Sequence, residues 1–432
     1  MDSEARNKVR AIKVEDWKKL GYSDSTTAND DSEGLTNEID PIFHYNHPSR
    51  PPALPIWAEL TGAEYKELLV DIKPMLQLAS LLLRSPPGLN ADCDLYYSPR
   101  KHPKDREAVK DVNGQPVLEF RHIETTDDYC PHREALANDA LDRLAGVVTF
   151  RVISEEDHPD MAKTLGLTEI FFQARPRGVN IQDDTKLSKG MGSRIFIRDT
   201  LVTDLRRLSK GGAQDTIKLS SLTFKEAAML CHELFHAKYM ATDSPLLADA
   251  LVETSMRGYE AMRDKGRKDE TVANNEPLYE DDTDAELGYV WEQCVFGGHI
   301  QFDRDVNNCL FFSKWPSIFT SPGYLRRGAW RAQMTKYVVP MHYIMNLLRQ
   351  KFWDDMKEGD FTALRIKKLI GIRVNCRPDL ADLDWNINDS SEVEYPLERP
   401  SLPRVSRERV GERLVDSRTN ETRQDRLTWQ RL

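Results

Sequence analysis

Apolar residues recur at helical spacing from Leu60 to Leu83, and the second half of that run, Ala79 to Leu83, is almost wholly apolar before Arg84-Ser-Pro-Pro-Gly88 stops it. The spacing predicts a buried helix, kinked at Pro74, where the backbone lacks a donor. Ahead of it the chain reads differently. Residues 1 to about 40 are polar and acidic, Ser23 to Glu33 reads as disordered, and Pro41 to Pro55 reads as an extended proline-rich lead-in, so order is expected to begin near Ile56.

Beyond the first helix, residues 89 to 130 read as loop with one candidate strand, Val117 to Ile123. Pro131 to Leu144 predicts a helix with proline in its first turn. Val147 to Ile153, Glu169 to Arg175 and Arg194 to Arg198 are short β-branched or alternating runs that predict strands of one sheet. A helical apolar face then runs through Phe224, Ala227, Ala228, Cys231, Leu234 and Phe235, with Thr223 and Glu226 spaced as a capping box at its start. Further helices are predicted at Ser244 to Arg263 and at Asp282 to Val295, the latter ended by Gly297-Gly298. His299 to Arg304 and Cys309 to Ser313 read as short strands, and Pro340 to Lys357 as a long helix. From about Asp389 to Leu432 arginine, glutamate, proline and serine replace apolar residues, which predicts a solvated tail. The folded unit is thus expected over 51–388, with a sheet-containing lobe to about residue 240 and a helical lobe from about 241.

Composition narrows the function classes. The chain has 432 residues, 40% of them hydrophobic, enough to bury a core around a cleft. A net charge of -10 leaves no basic excess to displace phosphate counterions, which argues against a nucleic-acid partner. Cys93, Cys130, Cys231, Cys294, Cys309 and Cys376 form no Cys-x-x-Cys pair, so zinc of the finger type is not expected. The Ser-Lys-Gly runs at 188–190 and 209–211 read as turns and do not fit a phosphate-cradling loop. Neither a signal-peptide h-region nor a long apolar span is present, so the reading is a soluble, cytoplasmic protein with no membrane partner.

The chemistry concentrates at His232, Glu233 and His236, a His-Glu-x-x-His run inside the predicted helix. Histidines four apart lie only about 40° apart around a helix axis, so both imidazoles can reach one Zn²⁺, and the intervening glutamate can act as general base on a metal-activated water. With 10 His and 70 acidic residues in the chain, chance predicts about 0.04 such runs, so coincidence is a poor account. A catalytic zinc needs a third protein ligand and an open position. Glu286 is the first choice, on a helical face with Tyr289, Val290 and Gln293, while Glu292 is expected to point away. Glu253, Glu292 and the aspartates Asp243 and Asp284 stay as alternatives. Tyr289, His299, His342 and Tyr343 are the candidate donors to a developing oxyanion, by residue type.

His-Glu-Leu-Phe-His-Ala followed some fifty residues later by Glu286-Leu-Gly-Tyr-Val-Trp-Glu292 and Phe296-Gly-Gly298 resembles the gluzincin branch of the zincin metallopeptidases, and resembles a group of fungal zincin-like proteins. The resemblance covers about residues 222 to 300. It implies one zinc per chain held by His232, His236 and Glu286, with Glu233 as base. The metzincin form is disfavoured, since Tyr239 and Thr242 stand where that pattern has glycine and the third ligand. The expected fold is α+β and zincin-like, with a small twisted sheet packed on the active-site helix and a mainly helical second lobe. The expected activity is hydrolysis of a peptide or small amide substrate. The alternatives are an inactive zincin-like binding or scaffold protein, or a zinc hydrolase acting on a small molecule or modified peptide.

Overall fold

In the computed structural model the described residues are 34–48, 50, 55–97, 119–120, 131–162, 164, 166–170, 192–211, 213–241, 278–279, 286–302, 310–313, 333–356, 362–368, 371–375 and 386–387. The helix read over Ser244 to Arg263, the turn at 188–190, Asp243, Glu253, Asp284 and the tail from Asp389 lie outside the described residues.

The first described residues of the proline-rich lead-in reach the core, so order begins earlier than Ile56. Ile42 and Phe43 are fully buried, Trp57 Nε1 donates to the Phe43 carbonyl at 2.8 Å, and the Asp40 amide donates to Ser80 Oγ at 2.7 Å. The apolar residues here follow neither a helical nor a strand period, which is why the pattern hid them.

Helix α1 (Gly62–Arg84) opens on the capping box of Thr61 and Glu64, each side chain accepting from the other's amide. It runs through Pro74 as one helix. The carbonyl that proline leaves without a partner belongs to Val70, which is 78% exposed, so water can take that bond. Helix α2 (Pro86–Tyr97) follows where loop was expected; its leading prolines sit in the first turn, where a missing amide costs nothing.

Helix α3 (Pro131–Leu144) leads into a three-stranded sheet of β2 (Val148–Ile153), β3 (Gly166–Ile170) and β4 (Ser193–Arg198) in the order β2-β4-β3. β2 and β4 are parallel; β3 runs antiparallel to β4 at an edge. In the stretch read as Val117 to Ile123 only β1 (Glu119–Phe120) is described, and it pairs in parallel with β5 (Leu278–Tyr279).

β4 passes directly into α4 (Asp199–Ser209), and α5 (Ala213–Ala241) follows. At 29 residues α5 begins ten residues before the expected cap, so Thr223 and Glu226 lie inside it and form no capping box. Its apolar face is buried against α1, residues 287–296 and the three-stranded sheet, and one core cluster joins these elements.

Glu226 is wholly buried, and among the described residues neither carboxylate oxygen has a hydrogen-bond partner. Burial pushes its pKa up from 4.5 to about 7, against the opposing charges of Lys225 and Arg198. A carboxyl whose folded pKa is raised contributes stability that is complete below its unfolded pKa and is lost as pH rises through about 7. Thermal melts should therefore fall from pH 5 to pH 8 in the wild type. Glu226→Gln should remove roughly 3 kcal/mol of that slope. Parallel slopes for the two proteins would contradict the assignment.

Helix α6 (Leu287–Phe296) ends on Gly297, whose φ of 79° is the left-handed turn that favours glycine. Beyond residue 241 the described residues hold strands as well as helices, and much of the expected helical lobe lies outside them. β6 (His299–Phe302), β7 (Leu310–Ser313), β8 (Gln333–Val338), β9 (Gly371–Asn375) and β10 (Asn386–Ile387) form an antiparallel five-stranded sheet in chain order. The long helix expected over Pro340 to Lys357 divides into α7 (Met341–Leu347) and α8 (Gln350–Asp355), with Pro340 as N-cap. The fold is α+β. No described helix is long and apolar enough to cross a membrane.

Candidate metal centre

Helix α5 carries His232 and His236 on one face, with ring centroids 5.1 Å apart. α6 crosses them with its N-terminus. Glu286 is not on a helical face, as the pattern suggested; it is the N-cap of α6, with φ -143° and ψ 97°, because its Oε2 accepts from the Tyr289 amide at 2.7 Å. Oε1 then lies 3.2 Å from His232 Nε2 and 2.8 Å from His236 Nε2. The three ligand atoms are all within 4.8 Å of one another. Ligand atoms at the corners of a tetrahedral zinc site stand about 3.3 Å apart, so the spacing fits.

Gly288 makes the crossing this close. A Cβ there would stand 2.3 Å from His232 Nε2 and Cδ2, so any other residue would drive α6 off the imidazole or tilt the ring.

Glu292 does not point away. Its Oε1 accepts from His232 Nδ1 at 2.8 Å, and its Oε2 accepts from the Ile300 amide at the start of β6. A carboxylate on Nδ1 keeps the proton there, orients the ring and leaves the Nε2 lone pair for a metal. The expectation failed because it ran the helix through Glu286. With α6 starting at Leu287, the position of Glu286 on a helical wheel says nothing about Glu292.

The side chains of this group shift one another's titration. Burial opposes protonation of His232, but Glu286 and Glu292 outweigh it and raise its pKa to about 10. Burial likewise opposes ionisation of Glu286, yet His232 and His236 hold it well below the usual carboxylate range. Glu292 is shifted up, chiefly by burial. A metal entering this site takes the place of a proton, so its affinity weakens as the pH is lowered.

Glu233 is 7% exposed and packs against β3, where Thr168 Oγ1 lies 2.7 Å from its Oε2. Nothing in the sequence signalled Thr168, since strand and helix are far apart in the chain.

The four oxyanion candidates separate. Tyr289 is half-buried, edge-on to His232 with ring centroids 4.9 Å apart, and 4.7 Å from the ring of His299. His299 is only 1% exposed, held by Ser313 Oγ at 3.2 Å and by the Gln301 amide group, so its ring is buried against Tyr289. Tyr343 packs on Phe224 and donates to the Leu364 carbonyl at 2.6 Å; burial pushes its pKa up. His342 is exposed on α7. No contact among the described residues joins either to the cluster.

Comparison with protein-family models, curated proteins and solved structures finds no match to this chain.

Proposed function

We propose that this chain is a zinc-dependent metallohydrolase of zincin-like fold, acting on a peptide or small amide bond. The observation that carries the reading is the convergence of His232 Nε2, His236 Nε2 and a Glu286 oxygen within 4.8 Å. Two imidazole nitrogens and one carboxylate form a donor set suited to zinc with a position left open. The packing of β3 and β4 on α5 supports the fold assignment. Zinc bound there would polarise the scissile carbonyl and lower the pKa of water towards neutrality.

The chain's own residues supply the rest. Glu233 takes a proton from water and returns it to the leaving nitrogen. Glu292 orients His232 through Nδ1. Tyr289, half-buried beside His232, is the oxyanion donor of choice.

Metal analysis of the purified protein should find about one zinc per chain, lost when His232, His236 or Glu286 becomes alanine. A wild type that takes up no zinc from solution sinks the proposal. Full zinc content with no cleavage across peptide, ester and amide libraries would turn the reading towards a metal-held scaffold.

A further inference from the structure

We infer that Thr168 is the positioning residue for Glu233, fixing which of its two carboxylate oxygens receives the proton. The inference rests on the proposed role of Glu233 as base. Thr168 lies on the edge strand β3, opposite Ile195 of β4, and is half-buried against α5. Its hydroxyl is 2.7 Å from Glu233 Oε2 and 3.0 Å from the Glu233 carbonyl oxygen.

A hydroxyl carries one hydrogen, so it serves one acceptor at a time. The shorter contact and the negative charge assign that hydrogen to Oε2. Oε2 is thereby held towards the strand. Oε1 takes no hydrogen bond among the described residues, and it is left to meet water.

The neighbouring backbone closes off the alternatives. A Cβ on Gly166 would stand 2.9 Å from Glu233 Cγ and 2.2 Å from Met229 Sδ, so β3 is pressed onto the Glu233 side chain itself. A carboxylate gripped on one oxygen and crowded at Cγ has little freedom to turn Oε1 away. When Glu233 carries the proton on Oε1, the hydroxyl can keep Oε2 or turn to the carbonyl 3.0 Å away, so neither protonation state leaves it without an acceptor.

The test uses the full chain loaded with zinc and acetohydroxamic acid as probe, which chelates zinc through two oxygens and gives a proton to an adjacent carboxylate. Zinc content should be unchanged in Thr168→Val, which keeps the shape and loses the donor. Its affinity for acetohydroxamate should fall about tenfold, the worth of one hydrogen bond to a charged group. Thr168→Ser, which keeps the donor, should stay within about twofold of the wild type. Thr168→Val combined with Glu233→Gln should bind no more weakly than Glu233→Gln alone, since Thr168 acts through Glu233. If Thr168→Val binds as the wild type does while Glu233→Gln is weakened, or if the two losses multiply, the positioning role is overturned and the metal reading stands. If Glu233→Gln binds as tightly as the wild type, or the wild type takes no zinc, the base assignment itself fails and this inference with it.

Discussion

Glu233→Gln is expected to hold its full zinc and to lose about 10²–10⁴-fold in kcat, the range that a positioned general base contributes. Glutamine matches glutamate in shape, and its carbonyl can still accept from Thr168, so the packing of α5 on β3 should survive. It cannot take a proton from water. His232, His236 and Glu286 are untouched, so the metal has no reason to leave. Zinc content and initial rates on a fluorogenic peptide library, measured on one preparation, separate the outcomes. Loss of zinc would make Glu233 a structural member of the centre. Undiminished turnover would place the base elsewhere.

The part of this site that the sequence displayed is the part whose geometry is local. His232 and His236 obey the four-residue rule of one helix, and that rule holds wherever the helix begins. Glu286 was found by residue type and by resemblance, but for a mistaken geometric reason: it caps α6 and is not carried on it. Glu292 was kept as an alternative ligand but read as turned away from Glu286; its place on His232 Nδ1 was missed because Glu286 is not a helical residue, so the wheel angle between the two does not apply. Thr168 and Gly166 contribute through a strand that meets α5 only in three dimensions, and no spacing in the chain announces such contacts. Elements failed in the same way. α2 begins on two prolines that read as a stop, although proline is at home in a first helical turn. In the β6–β10 sheet β6 and β7 were legible, as His299 to Arg304 and Cys309 to Ser313, whereas β8, β9 and β10, of two to six residues, gave no alternation to register. β2, with its β-branched run, was legible from end to end.

Lys238→Met should cost about 3–5 kcal/mol, a large share of the 5–15 kcal/mol that holds a typical domain folded. Lys238 sits on α5 two residues after His236, and its Nζ lies 2.5 and 2.6 Å from the two carboxylate oxygens of Asp92 on α2. Both side chains are 0% exposed. A charge so placed has no water to fall back on, so removing the lysine leaves Asp92 ionised without a partner or forces it to protonate. Burial already raises the Asp92 pKa, and Lys238 is the chief influence opposing it. Without that opposition the folded pKa climbs further above the unfolded one, and stability present at low pH is lost as pH rises through it. The deficit of Lys238→Met in urea midpoint should therefore be greatest near neutrality and shrink towards pH 4. Lys238→Met with Asp92→Leu replaces both charges by apolar groups and should recover most of the loss, because the attraction within a buried pair only roughly repays its desolvation. A single variant as stable as the wild type, or a double variant no better than the single, would show that the two side chains do not depend on each other. If they do, the pair acts as a registration device: only with α2 and α5 in this alignment do both charges find a partner, and the end of α5 next to His236 is fixed by that requirement.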